Sequence, residues 1–271
     1  MLVLSGAAMG ADRAVDPTFY RVTMGSEPAR TMPLAAAGCQ TQAIFGEGSP
    51  RTAAMRGLAR FARVVADKGA ACAAHAFPGE EQTWFVVKGA GTVNGRALRA
   101  EDFVYVPVNE RVELRAGAGG VEMLVFGYKV PSARAGSPEL QIANAGEVKK
   151  QVVGNHPPST LYQLLVGDTR STRDRMAAAA TLTSLFVMDM APGGTNFPHH
   201  HDREEELYVV LEGQGEMVAG GGGDGVEGRL PAKAGDAYYF RLNTTVGFYN
   251  TGGRQARILA ARWLYPFGGA R

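Results

Sequence analysis

The stretch Gly193-GTNFPHHHDREEELYVVLE-Gly213 decides how this chain folds, because the chain carries its plan twice. The earlier counterpart is Gly69-AACAAHAFPGEEQTWFVVK-Gly89. There Gly69, His75, Gln82 and Gly89 each stand 124 residues before Gly193, His199, Glu206 and Gly213. Upstream, GLARFARVVADKG and TLTSLFVMDMAPG keep that offset and the same strand-like texture. Downstream, EDFVYVPVNERVEL matches GDAYYFRLNTTVGF at an offset of 134, pairing Glu101 with Gly235, Asp102 with Asp236 and Asn109 with Asn243. The growth in offset falls in the hairpin MVAGGGGDGVEGRLPAKAG, whose run Gly220 to Gly223 reads as a flexible loop tip that tolerates insertion. A repeat whose length change is confined to a loop is the signature of a duplicated domain.

Each copy reads as short β segments. In the second they are LFVMDM, LYVVLEG, DAYYFRL, VGFYN and ARILAARWLY, rich in Val, Tyr, Phe and Leu and separated by Gly, Asp, Asn or Pro. Short strands at close, even spacing predict a sandwich or barrel. Composition agrees: 271 residues suit two domains of ordinary size, and 36 glycines with 14 prolines supply many turns. A hydrophobic fraction of 45% and a charged fraction of 20% are those of a globular chain. The expected organisation is an N-terminal arm over 1–33, a first barrel over 34–130, an interdomain connection over 131–180 with one short strand, LYQLLV, and a second barrel over 181–271.

Several function classes are excluded early. A net charge of +2 leaves no electrostatic footprint for nucleic acid or an anionic membrane. No apolar run is long enough to span a bilayer as a helix. Cys39 and Cys72 are the only cysteines; two cannot define a disulfide framework, and no CxxC pair suggests a thiolate metal site. The glycines of GAGTVNG and GQGEMVAG follow strands and open no helix, so they are turns rather than phosphate-binding loops. The opening MLVLSGAAMGADR is apolar and then small, like the tail of a secretory signal with Ala8-x-Gly10 before a cut, but it lacks a basic n-region. Localisation is therefore cytoplasmic or, if this is the remnant of a signal peptide, periplasmic or secreted.

The chemistry concentrates in HHHDREEE. On a strand, residues i and i+2 share a face, so His199 and His201 project together while His200 points away. After the charged turn the chain re-enters a strand at Glu206, whose facing partners are Tyr208 and Val210. If the two strands are neighbours, the carboxylate meets the two imidazoles at one point. Two histidines and a carboxylate form a facial triad with up to three open positions, suited to Fe(II), Mn(II), Ni(II), Co(II) or Zn(II). The bland alternative is a solvated surface loop, against which stands the register of this run with its duplicate. Tyr208 is expected either to face the same cavity and hydrogen-bond a substrate or to pack as core. Tyr239 and Phe248 are weaker candidates for the lining. Arg170, Arg173 and Arg175 in GDTRSTRDRM read as a solvated loop sooner than as a receptor for an anion.

The stretch from Gly193 to Gly213 resembles the first motif of the cupin superfamily: G, five residues, HxH, three or four residues, E, six residues, G. The second cupin motif is met only in part, by Gly235, Asp236 and Asn250; Arg241 replaces its proline, Asn243 its glycine and Val246 its histidine. The resemblance covers about 57–130 and 181–267, so the chain is similar to the bicupins. It implies an all-β protein of two tandem cupin barrels, the double-stranded β-helix or jelly-roll fold. It also implies a divalent metal on His199, His201 and Glu206, with Fe(II) or Mn(II) favoured and the usual fourth ligand lost at Val246. His156 is the other histidine outside the barrels that can swing in, though nothing in its NHPPST context aims it there.

In the first copy His75 survives, but Phe77, Gln82 and Val112 stand where the other ligands belong, which predicts a metal-free barrel kept for packing. The function expected is a metal-dependent enzyme on a small-molecule substrate, foremost an Fe(II)-type dioxygenase with Tyr208 as a catalytic hydrogen-bond donor. Metal-assisted isomerase, lyase or hydrolase chemistry and a non-catalytic binding cupin are the alternatives. Bicupin ureidoglycine aminohydrolases resemble this layout, yet their ligand residues differ and their activity is not carried over. Homodimerisation is left open.

Overall fold

The computed structural model describes residues 19–26, 31–220 and 227–265, so the signal-like opening and the loop tip Gly221–Gly223 lie outside the described residues. The first half forms β1 (Phe19–Thr23), β2 (Cys39–Gly46), β3 (Leu58–Ala66), β4 (His75–Ala76), β5 (Glu80–Val93), β6 (Arg96–Arg99), β7 (Asp102–Val106), β8 (Arg111–Val112) and β9 (Leu114–Lys129). The second forms β10 (Gln141–Asn144), β11 (Thr160–Asp168), β12 (Met176–Ala179), β13 (Leu182–Met190), β14 (Glu204–Glu212), β15 (Gln214–Gly220), β16 (Glu227–Lys233), β17 (Asp236–Phe240), β18 (Thr245–Tyr249) and β19 (Ala256–Leu264). The fold is all-β, two jelly-roll barrels in tandem. The stretch 131–180, expected as connection with one strand, supplies three: β10, β11 and β12.

One large sheet belongs to each half. Their orders are β10-β7-β5-β9-β3-β2 and β1-β17-β14-β19-β13-β11-β12, so one edge strand of each comes from the other half. The strand that precedes the first barrel, β1, pairs antiparallel with β17 of the second, Thr23 opposite Asp236. The strand that precedes the second barrel, β10, pairs with β7 of the first, Asn144 opposite Asp102. The two aspartates retained by the repeat hold this exchange. Asp236 accepts from Thr23 Oγ1 at 2.5 Å and from the Lys233 amide at 3.1 Å. Asp102 accepts from Asn144 Nδ2 at 2.7 Å and from the Arg99 amide at 2.8 Å.

Strand alternation divides the apolar side chains among three clusters. Val64, Trp84, Val104 and Met123 fill the first barrel, and Met188, Tyr208, Tyr238 and Ile258 fill the second. The third lies between the barrels, where Phe61, Phe103 and Phe126 meet Leu207, Tyr239 and Trp263. Both faces of each large sheet are thus buried, which is why LYVVL is apolar without interruption.

Two carboxylates cross this apolar seam. Glu205 accepts hydrogen bonds from the amides of Arg56 (3.2 Å) and Gly57 (2.8 Å), from Trp263 Nε1 (2.8 Å) and from the Tyr239 hydroxyl. Glu81, its duplicate, accepts from the amides of Ala180 (2.7 Å), Thr181 (2.7 Å) and Leu182 (3.0 Å) and from the Tyr105 hydroxyl (3.3 Å). Each barrel therefore clasps the start of the other's β3 or β13 strand. Satisfying a buried carboxylate with four donors offsets the cost of desolvating it.

Two further features fix the strands. Gly89 and Gly213, which close the two motif copies, both have φ of +82°, where a side chain is strained. A Cβ at Gly213 would also stand 2.8 Å from Ala256 Cα. Cys39 and Cys72 form a disulfide that ties β2 to the loop before β4. Counting two cysteines gave no framework; the fold nonetheless places their Cα atoms 5.2 Å apart.

Candidate metal centre

The histidines lie on the segment between β13 and β14, which is pinned to β18. His199 and Val246 exchange backbone hydrogen bonds of 3.0 and 2.8 Å, and the Asn243 amide donates to His201 O at 3.0 Å. Glu206 comes from β14, in a different sheet from β18. The three side chains therefore meet across the barrel mouth rather than along neighbouring strands of one sheet. Their candidate ligand atoms lie within 4.8 Å of one another. His201 Nε2 is 3.4 Å from Glu206 Oε2, and the two imidazoles stand at 86° with centroids 4.9 Å apart.

His199 Nδ1 lies 2.8 Å from Phe197 O, a contact that orients this imidazole and leaves its Nε2 as the free nitrogen. His201 Nδ1 faces Glu204 Oε2 at 3.6 Å, beyond hydrogen-bonding distance. Phe197 presents its carbonyl from a left-handed backbone of φ +51° with its ring half in solvent, a costly conformation for an aromatic residue. Val246, in the place of the fourth histidine, is buried against the barrel interior.

The electrostatics suit a cation. Burial pushes the His199 pKa down, aided by the charges of His201 and Arg262 and opposed by Glu206, so the ring stays neutral near pH 7. Burial alone would raise Glu206, but the His201 imidazole, Arg262 and His199 outweigh it and hold the carboxyl below its ordinary range. Tyr208 is pushed well above its usual value, first by burial and then by Glu206, so its hydroxyl remains protonated. That hydroxyl accepts a 2.9 Å hydrogen bond from Asn196 Nδ2, and Asn196 Oδ1 in turn accepts from the Phe248 amide at 2.8 Å.

These groups line a cavity of about 220 Å³ that also includes His156, Tyr162, Leu164, Arg173, Phe186 and Arg262. Tyr208 shares it with Glu206, as the period of two predicts. Tyr239 does not: its ring lies in the seam between the barrels, one residue out of phase with the inward-facing Tyr238 and Phe240. Phe248 is interior but outside the cavity wall. Of the three loop arginines, Arg173 reaches the cavity, while Arg170 pairs with Asp168. His156, unaimed by its local sequence, stands with its ring centroid 5.4 Å from that of His199. Tyr162 and Arg262 escaped sequence reasoning. An arginine inside the apolar run ILAARWL was the available signal for the second.

The first barrel shows the same positions rebuilt. Trp84 replaces Tyr208 and donates Nε1 to Gln82 Oε1 at 2.8 Å, so the amide is spent on packing. Phe77 replaces His201, and the Arg60 guanidinium lies 4.3 Å over its ring.

Comparison with known proteins agrees with the fold. Residues 186–262 match the family model of the Cupin domain. Germin-like protein 1-2 of Oryza sativa subsp. japonica is 43% identical over 58 residues, 21% of this chain and about a quarter of that protein's length (26%). The putative glyoxylate induced protein from Pseudomonas aeruginosa superposes with a TM-score of 0.70 at 17% identity, covering 98% of this chain and 96% of that one. Protein Ylba from E. coli gives 0.69 at 16% identity over 96% and 97%. An oxalate decarboxylase from Lactobacillus farciminis gives 0.67 at 14% identity over 93% and 87%. The chain folds as two jelly-roll barrels in tandem, as these cupin-fold neighbours do, and its residues 186–262 match the Cupin domain.

Proposed function

We propose that this protein is a divalent-metal enzyme acting on a small organic molecule, with His199, His201 and Glu206 as metal ligands. One observation carries the reading. Among the described residues, eight buried side-chain polar atoms lack a hydrogen-bond partner, and five of them belong to this one cavity: His201 Nε2, both carboxylate oxygens of Glu206, the Tyr162 hydroxyl and Arg262 Nε. Buried polar atoms are normally satisfied, so a cluster of orphans marks the place of a missing partner. Two imidazoles and a carboxylate are the donor set that a divalent cation of the Mn–Zn series takes.

When bound, the cation supplies Lewis-acid polarisation of substrate oxygens and, if redox-active, electrons for dioxygen. The chain's own contribution is positional. Tyr208, held by Asn196 and kept protonated, donates to a substrate oxygen. Leu164 and Phe186 keep bulk water from that wall. Two versions of the chemistry share this site: an Fe(II) dioxygenase, and a redox-neutral lyase, isomerase or hydrolase. The likeness in fold to oxalate decarboxylases, one of them a Bacillus subtilis protein with Mn(II) centres (13% identical, TM-score 0.67), supports the second.

Metal analysis of the purified protein tests the proposal. A near-stoichiometric divalent metal is expected, and its loss in the double variant His199→Ala/His201→Ala. Unchanged metal content in that variant overturns the ligand assignment. Oxygen uptake by the iron-loaded protein during turnover selects the dioxygenase version; turnover without it selects the redox-neutral one.

A further inference from the structure

The duplicated barrel serves as an internal control for the cavity, because it shows what each position looks like when its hydrogen bonding is complete. In the first barrel a guanidinium enters the mouth from β3: Arg60, opposite Gly127 on β9. In the second it enters from the partner strand: Arg262 on β19, opposite Ser184 on β13. A Cβ at Gly127 would lie 2.6 Å from Glu80 Oε2 and 2.8 Å from Arg60 Cγ, so the glycine makes room for the first arrangement. The two arginines thus occupy equivalent mouths from opposite sides of one strand pair.

They differ in what satisfies them. Arg60 is saturated, with Nε and Nη2 on Glu80 at 2.8 and 2.7 Å and Nη2 on Glu47 at 2.6 Å. Arg262 has only loose neighbours, Glu204 at 3.6 Å and Glu206 at 3.9 Å, both beyond hydrogen-bonding distance, and its buried Nε has no acceptor. Tyr162 repeats the contrast. By strand register its counterpart is Thr41, whose Oγ1 accepts from the Met32 amide at 2.9 Å. The Tyr162 hydroxyl, in contrast, is buried and unpartnered. Phe186 joins the two groups into one wall, lying under Arg262 at 5.5 Å and beside the Tyr162 ring at 5.7 Å.

Resting on the metal reading above, we propose that Arg262 and Tyr162 form the receptor for a carboxylate of a small organic acid, whose adjacent oxygen reaches the metal. A guanidinium Nε–H and a phenol O–H are both donors, and a carboxylate is the acceptor that takes two donors at once. Charge agrees. The lining sets two guanidinium groups, Arg262 and Arg173, against the single carboxylate of Glu206, and a dication adds to that excess. Size agrees as well, since about 220 Å³ is below the ~300–1,000 Å³ of pockets for drug-sized ligands.

The test uses Co(II)-loaded full-length protein, its visible spectrum, and two probes: oxalate, and neutral imidazole as a metal ligand without a carboxylate. Metal content is measured first in every variant. Wild type should bind both probes. Arg262→Gln should keep its metal and its imidazole affinity while oxalate binding weakens at least tenfold. Arg262→Lys should recover part of that loss, and Tyr162→Phe should show a smaller loss of the same selectivity. Equal weakening of both probes, or none, in a metal-replete Arg262→Gln overturns the proposal. Loss of metal in that variant also overturns it, by making Arg262 a support for Glu206. A wild type that takes up no divalent metal refutes the metal reading itself, and the carboxylate receptor with it.

Discussion

Replacing Glu205 by alanine should loosen the seam between the barrels without touching the cavity one residue away. Glu205 and Glu206 are adjacent on β14 and face opposite sides of the sheet, the first toward Trp263 and Tyr239, the second toward the histidines. The substitution removes an acceptor that four donors share. The Arg56 amide lies at the exposed end and can recruit water, whereas the Gly57 amide is buried. The Trp263 indole and Tyr239 hydroxyl are fully buried and cannot. Counting about 1–3 kcal/mol for each buried donor left unsatisfied, less the relief of no longer burying a charge, gives a loss of about 3–5 kcal/mol. For a chain of this size that is a fall in melting temperature of about 6–12 °C. Calorimetry or circular dichroism measures it, with metal content as the control. Glu81→Ala should behave alike, because its donors are arranged alike. A loss under about 1 kcal/mol for Glu205→Ala, or a loss of metal at unchanged stability, would refute the clasp.

Three further outcomes are expected. Thiol titration of the unreduced, unfolded protein should find no free sulfhydryl, and Cys72→Ser, which opens a bridge of sequence separation 33, should cost about 3–4 kcal/mol by chain entropy. Gly213→Ala should destabilise by about 1–3 kcal/mol through its backbone at φ +82°, more if Ala256 cannot yield, and a neutral melting curve would contradict the assigned conformation. Burial opposes the charge of Glu122, but Arg63 at 2.6 Å and Lys88 at 3.0 Å prevail and depress its pKa. A depressed folded-state value stabilises above the unfolded value and is lost as pH falls through the folded one. Glu122→Gln should therefore be the less stable protein at pH 7, and the difference should shrink in acid below the ordinary glutamate value; a difference that grows in acid would reverse the assignment.

The repeat and the spacing of the candidate ligands were legible because both are local. A period of two fixes the shared facing of Glu206 and Tyr208 once β14 is recognised, and an offset of 124 names the second barrel from the first. What escaped depends on register between distant strands. Tyr239 was misplaced because nothing local says whether Tyr238 or Tyr239 lies opposite Tyr208; the pairing of Tyr208 with Tyr238 decides it. Arg262 enters the cavity because it pairs with Glu206 across two strands, and Tyr162 because β11 lies beside β13. The pair Glu81 and Glu205 was visible at the common offset. Retaining that carboxylate where the neighbouring ligand has become Gln82 points to a duty other than holding metal.

The exchange of β1 and β10 sets the order in which this molecule can be finished. As the chain leaves the ribosome, the earliest described strand emerges with no partner, since Thr23 waits for Asp236, 213 positions later. The first barrel lacks its own border until Asn144 has been made. The earliest described strand is thus sealed only after most of the second barrel has been made, and a nascent chain halted midway carries one exposed β edge and one unattached strand, the usual ingredients of pairing with a neighbour.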